Sequence, residues 1–168
     1  QFLTLSQDHV HVTDTEHVFY TVPALDKDRS LVRIIEVENP TSAIIFCNTK
    51  AEVHLVSASL KRRGFDADEI SGDLPQKERE RVMAKVKRGE VRFMVATDIA
   101  ARGIDIDDIT HVINYDLPEV PEQYVHRIGR TARAGADGIA ISFCDPEELP
   151  DLRAIEKALP TGTMRTRG

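Results

Sequence analysis

The sequence predicts an α/β fold, doubly wound, with a mostly parallel sheet carrying helices on both faces. Three observations carry this. Short runs rich in Val, Ile and Ala alternate with stretches whose apolar residues recur at helical spacing, a pattern that implies right-handed βαβ units. The run at residues 43–47 is uninterruptedly apolar, as a strand covered on both faces must be. With 168 residues, 41% of them hydrophobic, the chain can build one sizeable core.

In order along the chain, residues 1–16 are polar and without period and read as a leader or interdomain linker. Residues 17–22 alternate through Val18, Tyr20 and Val22 and predict an edge strand stopped by Pro23. Leu31, Ile34 and Ile35 predict a helix over 26–37, with Asp26 or Asp28 near its start. After the strand at 43–47, Asn48 or Thr49 can cap a helix carrying Val53, Val56 and Leu60 and ending at Gly64. A weak strand over 65–71 precedes a helix whose first turn suits Pro75, which carries Arg79, Val82 and Val86 and stops at Gly89. Strands follow at 91–96, 110–115 and 138–143, with a helical turn starting at 98–102 and a helix within 119–130. Leu149, Leu152, Ile155 and Leu159 mark a last helix over 146–159, and 161–168 reads as a tail. The globular domain is therefore expected over 17–160.

Composition removes several function classes. Net charge is −6, from 28 acidic against 22 basic residues, so nucleic acid is not captured by bulk electrostatics and any such contact must be local. No apolar run approaches the roughly 18 residues that cross a bilayer, and the first residues lack the blocks of a signal peptide; a cytoplasmic protein is expected. Cys47 and Cys144 each end an apolar run and are expected as buried free thiols. The six histidines are scattered, His9 and His11 forming a loose pair, and no metal site is expected.

In sheets of this kind, ligands meet the loops beyond the carboxyl ends of the strands, where helix N-termini and free amides converge. Those loops hold no Gly-rich segment ending in Gly-Lys-Ser/Thr, and Gly129, Gly135 and Gly138 lack dinucleotide-fingerprint spacing. The chain cannot cradle a triphosphate alone. Residues 126–135 instead place Arg127, Arg130 and Arg133 at a spacing of three. Guanidinium forks at Arg130 and Arg133 suit phosphate oxygens on which charge develops, and Gly129 and Gly135 allow close backbone approach. At 95–106, Thr97 offers a hydroxyl beside the amides of a following turn, suited to a nucleic-acid phosphate, and Asp105 can accept from a ribose hydroxyl. Taken alone, this segment equally allows Asp98 to cap a helix and Gly103 to stop it.

The ordered segments IIFCNTK (44–50), SGDLPQKERE (71–80), VATDIAARGIDI (95–106), INYDLP (113–118) and YVHRIGRTARAG (124–135) closely resemble the second RecA-like domain of DEAD-box RNA helicases, most of all the bacterial RhlE-type group. The resemblance covers residues 18–159. It implies that Arg130 and Arg133 reach the γ-phosphate of ATP, which with Mg2+ is held mainly by an N-terminal RecA-like domain. It further implies that His126 links the nucleotide and RNA sites, that Asp105 contacts the ribose, and that Thr49, Gly72 and Thr97 contact the RNA backbone. Gln76 and Arg79 match an element with an interdomain or RNA-proximal role. Ala132 stands where the family more often has glycine, and Leu74 where some members carry an arginine. The expected function is the C-terminal half of an ATP-dependent RNA helicase, inert alone. The rivals are a protein-recruiting RecA-like module without catalysis and a DNA translocase domain of the same superfamily. The RNA, the cellular process and the oligomeric state are not legible in the sequence.

Overall fold

The computed structural model describes residues 15–102, 109–129, 138–159 and 164–167. Seven strands form one sheet: β1 (Thr15–Thr21), β2 (Ala43–Phe46), β3 (Ala67–Ile70), β4 (Phe93–Ala96), β5 (His111–Asn114), β6 (Gly138–Cys144) and β7 (Met164–Arg167). Their spatial order is β3-β4-β2-β5-β6-β1-β7 and every pairing is parallel. Five α-helices stand among the described residues: α1 (Lys27–Glu38), α2 (Lys50–Arg62), α3 (Gln76–Lys87), α4 (Pro121–Ile128) and α5 (Leu149–Ala158). The α/β architecture with helices on both faces is the one the sequence predicts.

Strand and helix faces explain the two-sided core. Leu31, Ile34 and Ile35 of α1 and Val53, Val56 and Leu60 of α2 pack on Ile45, Val95, Ile113 and Ile141. On the other face, Val82 of α3, Tyr124 and Ile128 of α4 and Leu152 and Ile155 of α5 pack on Ile44, Met94, Val112 and Ala140. Adjacent strand residues thus serve opposite faces, as the period of two dictates. Each fully buried Leu or Ile contributes about 1.5–3 kcal/mol relative to exposure.

Two expectations change. Strand β1 pairs with both β6 and β7, so it is an interior strand and not an edge. The segment read as a tail contains β7, which covers the side of β1 that its alternating sequence had suggested was open. Smaller shifts follow local geometry. Pro75 sits at the N-cap with ψ 151° and α3 starts one residue later. Residues 98–102 form the single helical turn expected there, closed by the Ala101 N–H donating to the Thr97 carbonyl at 3.1 Å. Gly64 (φ 89°) and Gly89 (φ 79°) do end α2 and α3, in the left-handed region that favours glycine.

Candidate functional site

One in-register row lies at the carboxyl end of the sheet on the α3–α4–α5 face: Ile70, Ala96, Phe46, Asn114, Ser142 and Phe19, on β3, β4, β2, β5, β6 and β1. Beyond this row the loops after β3, β4 and β2 stand side by side, so Gly72, Thr97 and Thr49 line one edge in that order. Gly72 is exposed, with room for a Cβ, the nearest side-chain atom being Ile99 Cγ2 at 3.9 Å. Thr97 is half-buried and its Oγ1 accepts from the Ala100 N–H at 3.3 Å. Thr49 is the exposed N-cap of α2, its Oγ1 accepting from the Glu52 N–H at 3.2 Å. The alternative cap, Asn48, does something else: its amide nitrogen donates to the Leu117 carbonyl at 3.0 Å. Lys50 and Asp73 join the β2 and β3 loops across 2.7 Å, both well exposed.

The residue that organises this edge is Arg127. Its side chain is 1% exposed and all five of its N–H bonds have acceptors. Nε and Nη2 donate to the two Asp98 carboxylate oxygens at 2.7 and 2.8 Å. Nη1 donates to Asn114 Oδ1 at 3.1 Å and to the Asp116 carbonyl at 2.8 Å, and Nη2 donates also to Asn48 Oδ1 at 2.9 Å. The guanidinium lies 5.0 Å from the centre of the Phe46 ring. One side chain from α4 therefore ties together the loops after β2, β4 and β5. In the sequence, Arg130 and Arg133 stand out and Arg127 is only the first arginine of the series. The signal that separates it is that Tyr124, Arg127 and Ile128 share the inward face of α4, where a guanidinium has to be met by a carboxylate.

His126, its neighbour, points outward instead. With Gln123 one turn back it borders a cavity of about 310 Å³ whose floor includes Phe46, Asp98 and Arg127 and whose rim includes Arg102. Arg79 of α3 donates to the Ala100 carbonyl at 3.0 Å, holding the β4 turn from its far side. Gln76 Nε2 reaches Glu80 on its own helix at 3.4 Å. The sheet order thus sets Gly72, Thr97 and Thr49 on adjacent loops, while His126 borders the cavity on α4. Asp105, Arg130, Ala132 and Arg133 lie outside the described residues.

A second buried charge cluster stands behind the α2 N-terminus. Lys27 Nζ meets Asp116 Oδ1 at 3.0 Å, and Asp116 Oδ2 accepts from the Asn48 N–H at 2.9 Å. Burial resists ionisation of Asp116, but hydrogen bonds from Glu52, Asn48 and Lys27 outweigh it and hold its carboxyl below the usual range. Burial, then the hydrogen bond and charge of Asp116, push Glu52 up to about 8, so near neutrality Glu52 is the protonated partner of an ionised Asp116. The Cys47 thiol lies within 4.8 Å of both carboxyls, and burial pushes its ionisation well above the usual range. Lys27 already supplies the cation that Asp116 requires. Both Cys47 and Cys144 are buried free thiols. Among the described residues, no helix is long and apolar enough to cross a membrane.

Residues 26–135 match the family model "Helicase conserved C-terminal domain". The chain is 48% identical over 142 residues to the ATP-dependent RNA helicase CshA of Listeria monocytogenes, covering 84% of this chain but 27% of that protein. Among solved structures it is similar to the E. coli DEAD-box protein SrmB bound to the regulator of ribonuclease activity A, with TM-score 0.85, 32% identity and coverage of 92% of this chain and 90% of that one. It is also similar to S. cerevisiae Dbp5 bound to RNA and ADP BeF3, with TM-score 0.85, 32% identity and coverage of 92% and 42%. The fold, the ordered carboxyl-edge loops and these matches agree: the chain belongs to the helicase C-terminal domain family and has the RecA-like fold of DEAD-box C-terminal domains.

Proposed function

We propose that this domain, read as residues 17–160 of the chain, supplies arginine fingers and part of the RNA surface to a cytoplasmic RNA helicase in which ATP hydrolysis drives duplex opening. The observation that carries this reading is the Arg127 cluster. It anchors the last turn of α4 against three strand ends, and the chain leaves that turn at Gly129 directly into Arg130. Arg130 and Arg133 are the fingers, and their planar forks suit γ-phosphoryl oxygens as charge spreads over them. Asp105 receives the ribose hydroxyl.

The residues present fit half of a nucleotide site. Arg102 and His126 border the cavity, while Asp98 and Asp116 are each already met by a cation, so they are not available as ligands for Mg2+. ATP with Mg2+ is then held mainly by the N-terminal RecA-like domain, and it supplies the phosphoryl group whose transfer to water releases energy. His126, exposed on α4 and bordering the cavity, is the residue that links this nucleotide half-site to the RNA edge.

RNA runs along the loops after β3, β4 and β2. Adjacent strands are about 4.8 Å apart, so Gly72, Thr97 and Thr49 present donors at near-regular intervals along roughly 10 Å of backbone. Hydroxyl and amide donors read phosphate and sugar, so binding is insensitive to base sequence.

The test is Arg130→Ala in the full-length protein. RNA-stimulated hydrolysis should fall by about 10³-fold or more, the range of an arginine finger, with ATP binding retained in a fluorescent-nucleotide titration. The isolated chain serves as the control and should show no RNA-stimulated turnover. Retained hydrolysis in the variant would remove the finger assignment.

A further inference from the structure

The carboxyl-end row of the sheet contains an anomaly. Ile70, Ala96, Phe46 and Phe19 are apolar, yet Asn114 and Ser142, in register at its centre, are polar and fully buried. A buried amide and hydroxyl are costly unless every group is satisfied. Here they lie in a row of buried polar side chains that runs from Arg127 to His17. Arg127 Nη1 donates to Asn114 Oδ1 at 3.1 Å, and Asn114 Nδ2 donates to Ser142 Oγ at 3.0 Å. The Ser142 side chain acts on the Tyr124 hydroxyl, opposing the rise in its pKa that burial causes, and that hydroxyl lies 2.7 Å from His17 Nδ1. His17, Tyr124, Ser142 and Asn114 are 0% exposed and Arg127 is 1% exposed.

The row has a direction because one end is fixed. A guanidinium can only donate, so the Asn114 oxygen faces Arg127 and its nitrogen faces Ser142. Ser142, having accepted from Asn114, has its own hydroxyl proton to give to Tyr124, and Tyr124 has its proton to give to His17 Nδ1. We propose that His17, Tyr124, Ser142 and Asn114 form a polarised hydrogen-bond relay that positions Arg127, so that β1 sets the orientation of the loops around the candidate site. His17 is then neutral with its proton on Nε2. Tyr124 and His17 are positioning residues: fully buried, they act on Arg127 through Ser142 and Asn114, whose amide orientation Arg127 fixes. Buried chains of this kind reinforce one another, so a change at one end is felt at the other.

The structural claim is tested on this chain by imidazole nitrogen NMR. The His17 ring should show an unprotonated Nδ1 and a protonated Nε2; a protonated Nδ1 overturns the relay. In Asn114→Asp, both carboxylate oxygens accept, so Ser142 must donate toward residue 114, the direction reverses, and the His17 proton should move to Nδ1. An unchanged tautomer in a folded Asn114→Asp protein also overturns it, and if that variant does not fold, the wild-type tautomer decides.

The positioning claim rests on the helicase reading and is tested in the full-length protein. Tyr124→Phe keeps the ring and removes the hydroxyl, and should lower kcat for RNA-stimulated hydrolysis roughly tenfold, the equivalent of one lost buried hydrogen bond, with KM for ATP unchanged. His17→Leu should do the same, and His17→Gln, whose amide oxygen accepts, should restore most of the rate. Wild-type kcat in both Tyr124→Phe and His17→Leu overturns the positioning role. A full-length protein with no RNA-dependent hydrolysis would instead overturn the helicase reading, and the tautomer measurement would then judge the relay by itself.

Discussion

Arg127 shows what a side chain at the wrong-looking position demands of its surroundings. It occupies the place on α4 where Leu or Ile would normally face the core, and its burial is matched by the two oxygens of Asp98 and three further acceptors. Removing one partner of such a pair leaves the others desolvated and unsatisfied. Arg127→Lys keeps the charge but offers a single nitrogen with three donors to a site built for a planar fork of five. We expect a loss of about 3 kcal/mol in urea unfolding, together with weaker protection of the β4 turn in hydrogen exchange. A change below 1 kcal/mol would mean that the cluster is incidental to the fold. In the sequence, this residue was legible only as one member of a triplet, because residue spacing carries no information on depth.

At the scale of elements, the N-terminus of α2 combines stability and function in one residue. Thr49 Oγ1 accepts from the Glu52 N–H and so satisfies a donor that the first helical turn leaves open. Thr49→Ala should cost about 1 kcal/mol of stability. In the full-length protein it should also weaken RNA binding without altering ATP affinity, as read by anisotropy of a labelled oligonucleotide. Thr49→Ser should keep both. Equal RNA affinity in Thr49→Ala would remove this residue from the RNA edge. Elements of this kind were the most legible part of the sequence, since periodicity, caps and terminating glycines are local properties. The lateral order of the strands was not legible, because neighbours in the sheet are distant in sequence. For the same reason β1 read as an edge: its alternation describes its own faces and says nothing of a partner more than a hundred residues away.

For the whole molecule, pH dependence comes from groups whose ionisation folding changes. Glu52 is raised in the folded state to about 8, so its contribution to stability is fully present below the unfolded value near 4.5 and is lost as pH rises through about 8. Burial lowers His111 despite the nearby Glu38 carboxylate, so its contribution is present above about 6.5 and is lost as pH falls below that value. Stability should therefore fall as pH rises from about 6.5 to about 8, where only Glu52 of the two titrates, while below about 6.5 the two contributions oppose one another. Glu52→Gln, which fixes the neutral form, should remove the fall between about pH 6.5 and 8 in melting curves from pH 5 to 9. A fall of wild-type size in that variant would show that Glu52 is ionised in the native protein. Composition spoke to none of this, since a net charge of −6 averages over pairs that burial has already matched.

The all-parallel sheet also divides the molecule into two ends of unequal value. The turns that lead α2 into β3 and α3 into β4 fall at the amino end of the sheet with the left-handed glycines Gly64 and Gly89, across the sheet from the loops that carry Thr49, Gly72 and Thr97. These two turns are natural points of attachment. A fluorophore or surface tether introduced beside Gly64 or Gly89 stands a full strand length from the opposite rim, where it can report on docking of a second domain without obstructing it.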